Sequence, residues 1–130
     1  MSDKLETGMR TRRAVLGSAH VDRAEAARTD FDAPFQDLIT EGAWGHVWAS
    51  DAIPLRERSM LTLALLAAMG NFDEIPMHIR ACARTGASER DVMEAFQHVA
   101  IYCGVPKANH AIKLAKATWA KIAEEVAKDG

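Results

Sequence analysis

The sequence predicts an all-α fold, a single-domain bundle of six to seven helices over residues 1–130, and three observations carry that prediction. Apolar residues recur at helical spacing in nearly every segment, and no segment alternates apolar and polar residues as a half-buried strand would. Ala and Leu are abundant, whereas β-branched and aromatic residues are sparse. Glycines mark the ends of the periodic segments, and prolines fall in their first turns.

Taken in order, a first helix is expected from Asp3 to Leu16, stopped by Gly17. A short second one covers Asp22 to Arg28. The third starts near Asp32, with Pro34 in its first turn, and ends at Gly42. AWGHVWASDAIP reads as a loop carrying Trp44, His46 and Trp48. Pro54 opens a fourth helix ending at Gly70; from Met60 onward it is apolar almost all round, as a helix buried among others would be. The fifth begins near Asp73, tolerates Pro76 in its first turn and ends at Gly86. Ser88 caps the sixth, with Asp91 in the place where Glu would complete a stronger capping box. Val92, Ala95, Phe96 and Val99 form its core stripe. A break at Gly104 and Pro106 leads to a seventh helix, Lys107 to Val126, with Ala111, Ile112, Ala115, Trp119 and Ile122 inward.

The totals exclude several classes. At 130 residues the chain can bury a real core. Its net charge of −2 argues against a protein that neutralises nucleic-acid phosphates. RTRRAVLGSAHVDRA lacks the apolar run of an export signal, and MLTLALLAAM is too short to span a bilayer, so a cytoplasmic protein is expected. Cys82 and Cys103 match neither a zinc ribbon nor CxxC spacing and are expected as two free thiols. No two of His20, His46, His78, His98 and His110 lie within four residues, so no metal site is predicted.

Candidate chemistry centres on EIPMHIRAC. Glu74, His78 and Cys82 stand four apart and share one face if the stretch is helical. Glu74 can then hold one imidazole nitrogen of His78 and leave the other to move a proton. The same spacing equally suits a solvated helix face. Arg56 and Arg58 open the fourth helix, and Arg12 and Arg13 lie in RRAVLG. Any of these guanidiniums could grip a carboxylate or simply end in an ion pair. Trp44 walls a pocket or fills a core, and Tyr102 with Cys103 runs into a helix break that can line a pocket.

Together RRAVLGSAHVDRA, FQDLITEGAWGHVW, RERSMLTLALLAAM, EIPMHIRACARTGASERDV and HVAIYCGVPKAN resemble the carboxymuconolactone decarboxylase family, within the alkylhydroperoxidase D-like superfamily. The resemblance spans nearly the whole chain, and its first half separates it from the thiol-peroxidase relatives. Those carry CxxC before the histidine, where this chain has Asn71 and Glu74, and Asp91 replaces the usual Glu of its helix start. The resemblance implies loss of CO2 from 4-carboxymuconolactone to give 3-oxoadipate enol-lactone, in protocatechuate catabolism by the β-ketoadipate pathway. It also implies a homo-oligomer, commonly a hexamer, and no metal or organic cofactor. On this chemistry His78 is expected to donate a proton or stabilise an oxyanion, oriented by Glu74. Arg58, Arg12 and Arg13 are the candidates to anchor the substrate, with Tyr102, Cys103 and Trp44 as lining residues. The competing expectations are a thiol-dependent peroxidase on the same scaffold and a non-enzymatic helical assembly module.

Overall fold

The computed structural model describes residues 2–129, which hold seven α-helices, a π-helical segment and one turn of 3-10 helix, with no strand among the described residues. The chain forms two compact units, one up to Leu55 and one from Arg56.

In the first unit, α1 (Asp3–Leu16) starts where the Ser2 hydroxyl accepts the Leu5 amide, with Asp3 and Glu6 facing the positive end of the helix dipole. It buries a stripe of Gly8, Arg12, Val15 and Leu16. It stops at Gly17, whose φ of 89° suits a residue without a side chain. The chain turns there directly into α2 (Ser18–Ala26), four residues ahead of the expected start, because the Gly17 carbonyl already accepts the Val21 amide. α3 (Ala33–Ile39) carries Pro34 in its first turn, where a missing amide leaves nothing unsatisfied.

The expected loop at AWGHVW is instead the end of a continuous π-helical segment, Thr40–Val47, closed by the Trp48 amide on the Ala43 carbonyl at 2.8 Å. Its reason is tertiary. Gly8 of α1 lies against the Thr40 carbonyl, and Gly45 of the π segment lies against the Lys4 carbonyl. Two glycines so placed let the two backbones meet with no side chain between them, as small residues do at close helix crossings.

The second unit contains α4 (Leu55–Met69) from Arg56 on, the 3-10 turn Phe72–Glu74, α5 (Ile75–Thr85), α6 (Glu89–Cys103) and α7 (Val105–Asp129). Its core joins Leu63, Ala67, Ile75, Ile79, Val92, Phe96, Val99, Ala108, Ala111 and Ala115. The inner faces expected for α6 and α7 are those observed, with Ile112 and Trp119 packed at the edge of this cluster and Ile122 half-buried. Fully burying one such Leu, Ile or Phe is worth roughly 1.5–3 kcal/mol.

Two expectations are corrected here. α4 is not buried all round: Ser59, Leu63 and Ala67 form its buried stripe, while Leu61, Leu65 and Met69 are exposed. An apolar sequence supplied more greasy surface than one chain covers. Pro106 does not break the chain into a later helix; it sits in the first turn of α7, which begins at Val105, while Gly104 alone makes the turn. The Ser88 capping box, by contrast, is complete with Asp91. Ser88 Oγ accepts the Asp91 amide and the Asp91 carboxylate accepts the Ser88 amide.

Candidate active site

α5 positions the predicted pair. Pro76 occupies its first turn, so the helix proper starts at Ile75, and Glu74 becomes the residue flanking it rather than an interior position. His78 follows one turn in and is 7% exposed, on the face that also buries Ile75, Ile79 and Cys82. Glu74 is exposed, on the rim of a cavity of about 700 Å³ lined with Asn71, Phe72, Asp73, Pro76, His110 and Leu114 among others. The two therefore keep their register along the chain while differing in solvent access.

The same cavity brings in His110, which nothing in the local sequence connects to EIPMHIRAC. Its ring lies 4.1 Å from that of Phe72, centre to centre, and this contact joins α7 to the 3-10 turn. A histidine 32 positions downstream of His78 offered no spacing signal, since only packing of α7 on the 3-10 turn and α5 places it there.

The thiols are free. Cys82 is buried, and burial pushes its thiol up to about 11, against a smaller opposing hydrogen bond involving Ser59. Its Sγ donates to the His78 carbonyl at 3.3 Å. A thiol so placed is protonated at neutral pH and is a poor nucleophile. Cys103 is exposed at the end of α6, beside Tyr102, whose ring stacks on His98 at 5.4 Å. Tyr102 itself is 78% exposed.

The arginines fall into distinct settings. Arg58 is half-buried in the first turn of α4. Arg13 donates to Asp22 at 2.8 Å near the surface. Arg56 forks onto both oxygens of Asp91 at 2.8 and 2.7 Å, holding that carboxyl well below the usual range. Arg12 is buried, with Glu25 at 3.6 Å. Trp44 is buried against Trp48, ring centres 5.1 Å apart. Trp48 also lines a cavity of about 360 Å³ with Thr11, Val15, Ile53 and Pro54 among others, so Trp44 fills the core while Trp48 is both core and wall. Among the described residues, no group of three or more His, Cys, Asp or Glu is arranged to hold a metal ion, and no helix is long and apolar enough to cross a membrane.

Residues 33–117 match the model of the carboxymuconolactone decarboxylase family. The chain belongs to the carboxymuconolactone decarboxylase family. Members similar to it include the 4-carboxymuconolactone decarboxylase of Acinetobacter baylyi, 37% identical over 97% of this chain and 88% of that protein. The nitrosuccinic acid decarboxylase of Metarhizium robertsii is also 37% identical, over 87% of this chain and 79% of its own. A 4-carboxymuconolactone decarboxylase sequence from Pseudomonas putida is 50% identical over 32% of this chain and 88% of its own length. For a family member, the chemical question becomes what a buried imidazole and a set of arginines can do to a carboxylated substrate.

Proposed function

We propose that the chain is a carboxy-lyase that converts 4-carboxymuconolactone to 3-oxoadipate enol-lactone and CO2 in the β-ketoadipate route of protocatechuate degradation. The observation that supports this most is similarity to the Acinetobacter 4-carboxymuconolactone decarboxylase along almost the full chain.

The substrate carries its departing carboxylate on the ring carbon beside the ring oxygen, together with an acetate arm. When the C–C bond to that carboxylate breaks, its electron pair enters the ring, the double bond shifts and charge reaches the lactone carbonyl oxygen. CO2 leaves, and a proton added to the ring carbon next to the carbonyl gives the enol-lactone. The substrate thus supplies its own electron sink, the service for which other decarboxylases recruit an organic cofactor. Three tasks remain for side chains: to anchor the acetate, to favour charge on the carbonyl oxygen, and to deliver the proton.

His78 takes one of the last two tasks, as proton donor or oxyanion stabiliser, and Glu74 one turn earlier orients it. An arginine grips the acetate, the candidates being Arg58, Arg12 and Arg13. Trp44, Tyr102 and Cys103 are assigned to the surroundings of the bound ring. A placed general acid contributes about 10²–10⁴-fold and a donor aimed at a developing oxyanion roughly 3–4 kcal/mol. His78→Gln is therefore expected to lower kcat by at least about 100-fold while KM changes little. Turnover close to that of the unaltered protein would remove His78 from the mechanism.

A second reading has its own support in the equally identical nitrosuccinic acid decarboxylase. Nitrosuccinate also bears its departing carboxylate on a carbon with a CH2–COO⁻ arm, and its nitro group accepts the electron pair. The two readings share the anchor and the proton delivery and differ in the shape of the sink. Comparing kcat/KM for the lactone and for nitrosuccinate decides between them. The thiol-peroxidase alternative is disfavoured by the buried, protonated Cys82. The assembly-module alternative predicts no CO2 release from either compound.

The protein is further proposed to work in the cytoplasm as a homo-oligomer, a hexamer by family resemblance. The apolar stripe Leu61, Leu65 and Met69, spaced four apart along the exposed face of α4, supports the association. Sedimentation velocity measures it, and a monomer at micromolar concentration would refute it.

A further inference from the structure

We infer that the groove between α4 and α6 is a two-fold contact between copies of this chain. The ridge of Leu61, Leu65 and Met69 on each copy seats in the groove of the other. The inference rests on the homo-oligomer reading above and names the surface through which it works.

Three contacts show that α4 and α6 lie side by side and run the same way. At the start, Arg56 forks onto Asp91 at 2.8 and 2.7 Å. Midway, Met60, Leu61 and Ala64 of α4 line a cavity of about 320 Å³ together with Glu94, Ala95 and His98 of α6. At the far end, Lys107 Nζ, just past α6, donates to the Ala68 carbonyl at 2.8 Å. Both ends are tied, and the groove between them is open. The helical period carries its two walls onward: Leu65 and Met69 follow Leu61, and Ile101 and Val105 follow His98. These five apolar side chains are 54–79% exposed.

The face itself selects a second copy as the occupant. It carries a ridge and a groove at once, and a row of residues four apart is the kind of ridge that packs into the groove of a facing helix. A two-fold axis then satisfies both copies with one surface. The groove also holds a carboxylate and an imidazole one turn apart, Glu94 and His98, the latter stacked on Tyr102 with ring centres 5.4 Å apart. Rotated onto itself, this pair sets Glu94 of each copy against His98 of the other, so the charges match without a foreign partner. The area suffices as well. A stable interface takes roughly 800 Å² from each partner, about 60% of it apolar. Five such side chains, at roughly 100 Å² of exposed surface each, supply that apolar share of about 500 Å².

Sedimentation velocity on the full chain tests the contact. Leu65→Glu places a charge in the middle of the ridge and should at least halve the mass of the assembly, with far-ultraviolet circular dichroism unchanged. A Leu65→Glu protein assembled like the parent overturns the inference and leaves the oligomer reading standing. A parent that is monomeric at micromolar concentration overturns both. A charge exchange reads the geometry, and it decides alone where Leu65→Glu does not fold. His98→Glu sets two carboxylates against each other across the axis, and Glu94→Arg sets a cation against His98. Each variant by itself is expected to self-associate roughly 10-fold more weakly than the parent. Mixed in equal amounts, the two regain opposite charges at both positions, and association should return to within about 3-fold of the parent's. Failure to recover on mixing, or single variants as tightly assembled as the parent, overturns the two-fold pairing.

Discussion

Gly8→Ala puts two opposed effects in competition, and their magnitudes decide the sign. Gly8 lies in the interior of α1, where alanine is the better helix former by about 1 kcal/mol. Propensity alone therefore predicts stabilisation. The crossing predicts the reverse. A Cβ at Gly8 would overlap the Thr40 carbonyl oxygen, come within 2.9 Å of the Thr40 carbonyl carbon, and lie 3.0 Å from the Gly45 amide nitrogen. All three are backbone atoms, so no side chain can rotate away. α1 and the π segment would have to separate by about 1 Å, enough to forfeit a quarter to a half of the dispersion attraction along their contact. Overpacking of this kind typically costs 1–3 kcal/mol, and a rigid backbone partner places it near the top, about 3 kcal/mol. Net of propensity, Gly8→Ala should be destabilised by about 2 kcal/mol. Urea unfolding followed by near-ultraviolet circular dichroism reads this, because Trp44 and Trp48 pack together in the same unit. Gly42→Ala is the control, for a Cβ there meets nothing within 4 Å. It should be neutral or slightly stabilising. A Gly8→Ala protein as stable as the parent, or more so, would refute the glycine-to-backbone account of the crossing.

Two further outcomes follow from the titrating groups. Iodoacetamide at pH 8 on the folded protein should modify Cys103 and spare Cys82, whose thiol is pushed up to about 11 by burial. Peptide mass mapping checks this, and both cysteines should react once urea is added. The Asp91 carboxyl is depressed by the Arg56 fork and by the Ser88 amide. A folded-state value below the unfolded one means its contribution is complete above the ordinary Asp range, near ~4, and is lost as pH falls through the folded value. The melting temperature should therefore drop below about pH 4, and Asp91→Asn should flatten that part of the profile while lowering stability at neutral pH. A profile identical to the parent's would show that the cap and the fork contribute nothing.

Much of the architecture is written locally. α1 starts and stops where Asp3, Leu16 and Gly17 say it should, and the faces of α6 and α7 emerge from spacing alone, because cap chemistry and the 3.6-residue period act within a few residues. The family is legible for the same reason, since its motifs are strings of neighbours. The π segment was not legible. Its wide turn depends on Gly8 and Gly45 meeting distant carbonyls, and AWGHVW by itself looks like a loop.

What the sequence by itself determined is an all-α chain of this family and the residue types available for its chemistry. Only the tertiary structure decided their environments: His78 interior and Glu74 on a rim, Cys82 protonated by burial, His110 beside Phe72, Arg12 enclosed with idle N–H groups. The reason is physical. Solvation, partner distance and packing are set by what other segments bring into contact, and these, more than residue type, decide which arginine or thiol can act.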